Sequence, residues 1–256
     1  MGAFSRPGAS ALSVEGMTSS ADVHDVRDPE LPGRLLTVER DALIPLLRAR
    51  PDADFGIVTA GCPEWTVREV LAHCSAALSR VVEGRLGKGV FSPESNERDI
   101  AERVDWTNAR VLDELEKGMS EAGGVIAEAG GALDGVALRE WVHAGDVREA
   151  LGEPGAYAGP GLPYALALLA RLSRERGLVP LHADVDELDE PLRLGDGSGV
   201  RTPGRYIGDG ATLVRLYAGR LVEEGEGASS PSSSPSPSPS YELAGVEAAE
   251  LNMYGG

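Results

Sequence analysis

Aromatic side chains are scarce in this chain, 5% of 256 residues, so its core has to be built largely from Ala, Leu and Val. No run approaches the roughly 20 apolar residues that cross a bilayer, which argues against a membrane-spanning helix. Met1 to Ser20 hold one Arg and no apolar stretch of signal-peptide length, so a cytoplasmic location is expected. Cysteine is limited to Cys62 and Cys74, which make neither a disulfide framework nor a metal-like spacing. Both are expected as small buried hydrophobes in a reducing setting. Basic residues are outnumbered, 24 Lys+Arg against 41 Asp+Glu, for a net charge of −17. Such a chain repels phosphate backbones and anionic lipid, so neither nucleic acid nor a membrane surface is an expected partner. A small anionic ligand stays compatible, because a pocket can be locally positive. Oligomeric state is not indicated.

What the chain does contain is helical periodicity. Residues 1 to about 30 carry Gly, Ser, Pro and charge without a period and read as a disordered leader. From Leu31 the stripe Leu35, Leu36, Leu43, Ile44, Leu46, Leu47 predicts a first helix, closed by Pro51. A loop from Asp52 to Glu64 follows. Thr66-Val67-Arg68-Glu69 fits a capping box, with Trp65 and Val70 placed as a hydrophobic staple, and predicts a second helix ending near Gly84. A third helix is expected from Ser92-Pro93 to about Ala122, a fourth from Gly135 to Leu151, and a fifth between Pro163 and Gly177. The pattern is that of a mainly α protein, an antiparallel helical bundle over residues 31–177.

After Gly177 the texture changes to a small α+β unit, 178–256. Leu178–Asp186, Leu192–Leu194 and Arg205–Ile207 read as strands, Gly210–Ala218 as a helix, and Tyr241–Leu243 and Leu251–Tyr254 as further strands. A Ser/Pro linker at 225–240, almost pure Ser and Pro from Ser229, interrupts it; such a tract cannot bury apolar surface.

Chemistry-bearing residues are few. Of four histidines, His24 lies in the leader, and His182 alternates with Asp184 and Asp186 on a strand face expected to be solvated. His73 falls on the flank of the second helix's apolar stripe, beside Val70 and Ala77, facing the rim of the bundle interior. His143 shares its face of the fourth helix with Val136, Val147 and Ala150 and so points into packing; Trp141 and Val142 point elsewhere, as on a helix covered on more than one side. Glu140 and Asp146 stand three residues to either side of His143, on its face. Imidazole with carboxylate suits Zn²⁺ and related divalent metals. The same spacing more often serves a plain hydrogen bond or ion pair.

Two segments carry a family resemblance. "CPEWTVREVLAHCSAAL" (Cys62–Leu78) resembles the second-helix signature of the mycothiol-dependent maleylpyruvate isomerase family, and "LREWVHAGDVREALG" (Leu138–Gly152) its fourth-helix signature. "YIGDGATLVRLYAGR" (Tyr206–Arg220) and "YELAGVEAAELNMYG" (Tyr241–Gly255) are similar to that family's small C-terminal domain. The resemblance implies a DinB-like bundle holding a divalent metal, usually zinc, with mycothiol, the low-molecular-weight thiol of actinobacteria, as cofactor. It places the metal on a His of helix two and a Glu and His of helix four, matching His73 and His143. The family's Glu position, four residues before the second His, is Arg139 here. Glu140 is the substitute ligand and Asp146 the next candidate; Glu140 is only ~60° from His143 around the helix axis.

The implied activity is that of a metal-dependent enzyme using a thiol for cis–trans isomerisation or thiol transfer. Its partner would be a small electrophilic or carboxylate substrate, with Arg139 and Arg148 available to a carboxylate or to surface ion pairs. The alternative is a non-catalytic bundle that has lost its metal and acts in ligand or protein binding, and Arg139 in the ligand position is its support.

Overall fold

A computed structural model describes residues 27–199, 201–220 and 241–254. The expected leader up to residue 26, with His24, and the expected linker at 225–240 lie outside the described residues. Arg27, near the end of the expected leader, is docked: its guanidinium pairs with buried Asp134 at 2.9 Å and donates to the carbonyls of Ile126 and Ala127.

Among the described residues six helices come first: α1 (Leu31–Arg48), α2 (Val67–Val82), α3 (Pro93–Ala101), α4 (Asn108–Glu128), α5 (Asp134–Ala150) and α6 (Leu162–Glu175). A single 3-10 turn, Asp52–Gly56, lies in the loop between the first two. α4 packs on α1 and α2, and α5 packs on α1, α2 and α6. No described helix is long and apolar enough to cross a membrane. The capping box at the start of α2 is complete: the Thr66 N–H donates to Glu69 Oε2 at 2.7 Å and the Glu69 N–H to Thr66 Oγ1 at 3.3 Å.

The single third helix expected over 93–122 is two helices. Thr107 takes an extended conformation and accepts from the Arg110 N–H, capping a new helix, α4. The carbonyls of Arg103, Val104 and Trp106 receive the Arg68 guanidinium, which satisfies backbone groups that the break leaves outside a helix. The helix expected as the fourth is therefore α5.

Helix α5 is the centre of the bundle. From Val136 to Arg148 every residue is buried except Arg139, which is half-buried. A helix wrapped on all sides must pair each polar side chain it carries, because a buried polar group without a partner costs on the order of 1–3 kcal/mol. Arg148 accordingly pairs with buried Glu39 of α1, and so is not available to a substrate.

Following α6 are β1 (Leu181–Val185), β2 (Leu192–Leu194), β3 (Gly204–Gly208), α7 (Gly210–Tyr217), β4 (Glu242–Ala244) and α8 (Ala248–Leu251). The sheet order is β2-β1-β3-β4, with β1 and β3 parallel and the outer strands antiparallel. Alternation buries Leu181, Ala183 and Val185 on one face, while His182 is exposed on the other and Asp184 there pairs with Arg205. The strand expected at Leu251–Tyr254 is not formed. A capping box between Glu247 and Glu250 winds this segment into the short α8, and the Met253 N–H then donates to the Tyr217 carbonyl.

Where α1 crosses α4 the two backbones touch. A Cβ on Gly123 would stand 2.8 Å from Gly33 Cα, whereas one on Gly124 would meet nothing within 4 Å. Gly123→Ala should therefore destabilise the fold by about 1–3 kcal/mol through overpacking. Gly124→Ala should stabilise it by about 0.5–1 kcal/mol through helix propensity. Urea denaturation of both variants checks the pair; equal effects would contradict the backbone contact.

Candidate metal centre

The four residues singled out in the sequence come from two helices that meet at the bundle's centre: His73 from α2, and Glu140, His143 and Asp146 from α5. All four are buried. The His73 and His143 rings meet edge to face with centroids 5.4 Å apart. Two imidazoles bound to one ion through nitrogens at ~2.0–2.1 Å have centroids roughly 5 Å apart, so the observed spacing is compatible with a shared ion.

Asp146 holds His143. The His143 Nδ1 lies 3.1 Å from Asp146 Oδ2, and an ionised carboxylate can only accept, which puts the proton on Nδ1 and leaves the Nε2 lone pair free. Asp146 is itself clamped by three further donations. Arg220 gives Nε to Oδ1 and Nη2 to Oδ2, each at 2.9 Å, and Tyr157 Oη donates to Oδ1 at 2.6 Å. Burial alone would raise the Asp146 carboxyl, but the hydrogen bonds from His143 and Arg220 outweigh it and hold the group below the usual carboxylate range.

The loop 59–65 closes over this cluster. It is tied by the Thr59 N–H to the Trp65 carbonyl and by the Trp65 N–H to the Cys62 carbonyl. Gly61 is required at its crest: a Cβ there would fall 1.9 Å from Asp146 Oδ1. The turn brings Cys62 Sγ to 3.9 Å from both His143 Nδ1 and Asp146 Oδ2, and to 3.5 Å from Arg220 Nη2. Cys62, His143 and Asp146 offer donor atoms within 4.8 Å of one another, a grouping that could hold a metal ion. His73 and Glu140 belong to no such group of three among the described residues. Burial and the Asp146 charge push the Cys62 thiol up to about 11, with Arg220 working against them.

Two polar atoms on the other side of His143 have no partner. His73 Nδ1 and Glu140 Oε2 are both buried and unbonded. Glu140, His143 and Cys74 line one small cavity with Val70 and Leu71, with space for about one water-sized species. Burial pushes the Glu140 carboxyl up to about 8, against opposing contributions from Cys74 and Arg139. Burial also depresses the His73 imidazole to about 3, helped by the positive fields of His143, Arg139 and Arg80. Both groups are therefore neutral near pH 7, and each is a polar group short of a partner.

Sequence reasoning missed Cys62 as part of this cluster, as well as Tyr157 and Arg220. None of the three has a spacing signal. They reach Asp146 across 84, 11 and 74 positions of chain, through folding of separate elements. Arg139 is half-buried and lies with its guanidinium carbon 5.2 Å from the centroid of the Tyr254 ring.

No protein-family profile and no curated protein matches the chain. Two solved structures resemble it. One is the mycothiol-dependent maleylpyruvate isomerase, with a TM-score of 0.45 and 16% identity over 80% of this chain and 93% of that one. The other is a histidine-to-alanine mutant of the mycothiol-dependent maleylpyruvate isomerase, at 0.45 and 17% over the same shares.

In metal-free protein the folded state keeps a proton on Glu140 that the unfolded chain releases above its ordinary value of 4.5, so stability falls as pH rises toward 8. His73 acts in the opposite sense, but only below its ordinary value of 6.5. Between those limits, pH 6.5 to 8, Glu140→Gln should remove a decline of about 2 kcal/mol. Denaturation curves across that window measure it, and a slope unchanged by the substitution would show that Glu140 titrates normally.

Proposed function

We propose that this chain is a divalent-metal-dependent enzyme of the maleylpyruvate isomerase family, using a low-molecular-weight thiol such as mycothiol for cis–trans isomerisation or thiol transfer. The carrying observation is the convergence of two imidazoles from separate helices beside buried polar atoms that lack partners. The two helical sequence signatures support the same reading.

The residues that would hold the ion are His73, His143 through Nε2, and Glu140, with zinc the proposed metal. A nitrogen and oxygen donor set fits it. An ion there would also give His73 and Glu140 the partner that each lacks. The grouping of Cys62, His143 and Asp146 is the second possible seat. Two features weigh against it. Asp146 already accepts from His143, Tyr157 and Arg220, and the Arg220 guanidinium is 3.5 Å from Cys62 Sγ. A fixed positive charge about 4 Å from a cation costs roughly 4 kcal/mol per unit charge at a near-surface dielectric. Asp146 is better suited to orienting His143, as carboxylates do behind metal-bound imidazoles.

When bound, such an ion lowers a thiol's pKa and supplies a thiolate nucleophile near neutral pH. The chain's own residues fix the geometry around that chemistry. Asp146 keeps the His143 proton on Nδ1, Arg220 and Tyr157 keep Asp146 ionised and immobile, and Trp65, with its ring 5.2 Å from His73, covers the imidazole from the loop side.

Elemental analysis of protein purified without a polyhistidine tag should find about one divalent ion per chain, lost on His73→Ala or His143→Ala. Cys62→Ala should retain it, which separates the two seats. Asp146→Asn should weaken affinity by about 10–100-fold while keeping the stoichiometry at saturating zinc. Absence of stoichiometric metal after zinc is supplied would rule for a non-catalytic binding bundle instead.

A further inference from the structure

The loop 59–65 is closed on itself. At its base Val58 bridges to Thr66 and the Val67 N–H donates to the Ile57 carbonyl at 2.8 Å, while Thr59 Oγ1 donates to the Cys62 carbonyl at 3.0 Å. Among the described residues only two of its side chains form hydrogen bonds outside it. At one end Cys62 Sγ makes long contacts to His143, Asp146 and Arg220, at 3.5 to 3.9 Å, and sulfur is a weak hydrogen-bonding atom. At the other end Trp65 Nε1 donates to Glu97 Oε1 at 3.0 Å. Glu97 is exposed on α3, whose inner face is anchored to α2 by the pair of buried Asp99 with Arg80. The half-buried Trp65 ring lies against His73. The strongest bond holding the loop down therefore runs from the ring that covers His73 to a helix that takes no part in the centre.

We propose that this bond latches the loop over the centre, making Glu97 a positioning residue that sets how readily an ion or a small molecule reaches Cys62 and His73. An indole N–H on a carboxylate is a charge-assisted bond, but at the exposed edge of the loop it competes with water. It can therefore open locally, while the loop's internal bonds keep its shape and the helices beneath stay packed. Opening swings Trp65 off the His73 ring and lifts Cys62 away from Asp146. Gly61 sets the closed position, because a Cβ at that crest would collide with Asp146. Cys62 moves with the loop and Cys74 is buried on α2, so the two thiols report local and global opening separately. The inference deepens the functional reading above by naming what controls access to its site, and only the metal arm of the test rests on that reading.

The test is N-ethylmaleimide labelling of the metal-free full chain, read at each cysteine by peptide mass spectrometry. Glu97→Ala should speed labelling of Cys62 by about fivefold, the change expected when an opening equilibrium loses one hydrogen bond of ordinary worth, and should leave Cys74 unchanged. Glu97→Gln keeps an acceptor and should stay near the wild-type rate, as should Glu121→Ala on α4. Trp65→Phe keeps a ring but lacks the N–H, so it should also speed Cys62, and adding Glu97→Ala to it should have no further effect. A Cys62 rate unmoved by Glu97→Ala, an equal acceleration at Cys74, or effects that multiply in the double variant would overturn the latch. Glu97→Ala should also release bound zinc to excess chelator about fivefold faster at unchanged affinity. A chain that labels as expected but takes up no zinc keeps the latch and sinks the metal reading alone.

Discussion

Everything at the centre of this protein follows from one constraint: a helix enclosed by its neighbours cannot leave a polar side chain to water. Helix α5 carries Asp134, Glu140, His143, Asp146 and Arg148 among its buried residues. Two of the five are fully answered, and Arg148 is answered in part, its Nη1 having no partner. Asp134 takes Arg27 and Arg171, Arg148 takes Glu39, and Asp146 takes Arg220, Tyr157 and His143. His143 is answered on one nitrogen, and Glu140 keeps an oxygen with no partner. Unfinished pairing thus occurs at several places on the helix, at Trp141 Nε1 and Arg148 Nη1 as well as at Glu140 beside His143. Paired groups rigidify a core, and incomplete ones have room for a water or an ion as the missing partner.

The same constraint explains how much of the fold could be read from the sequence. Helix starts that depend on neighbours in the chain were legible: Thr66 and Glu69 form the box that their spacing predicts, and the bounds of α1, α5 and α6 fall within a residue or two of expectation. Periodicity failed where a distant side chain decided the outcome. Nothing near residues 102–107 announces that Arg68 will hold three of their carbonyls, yet that contact accompanies the division of the expected third helix. At the far end, short apolar spacing around Leu251 looked like a strand, and the reciprocal Glu247–Glu250 cap made it a turn of helix instead.

The site divides along the same line. His73 and His143 could be singled out because each lies on a face that helical geometry turns inward, and their rings do meet. Glu140 and Asp146 were equivalent by spacing, three residues to either side of His143, and only the folded environment tells them apart. Asp146 points to Arg220 and remains charged, whereas Glu140 sits with Cys74 in an apolar pocket that favours its neutral form. Arg148 looked as free as Arg139 in the sequence, but Glu39 of α1 occupies it. Cys62 owes its place to a turn around Gly61, a conformation that no pairwise spacing encodes.

The enclosure of α5 has a consequence for motion. Segments at a protein's surface open by themselves, at little free-energy cost, while the innermost elements become accessible only when the whole molecule comes apart. His143, Glu140 and Asp146 ride on an element of the second kind. Their mutual arrangement is therefore fixed by the most slowly opening part of the fold, whereas access to it runs through the loop 59–65 that covers it.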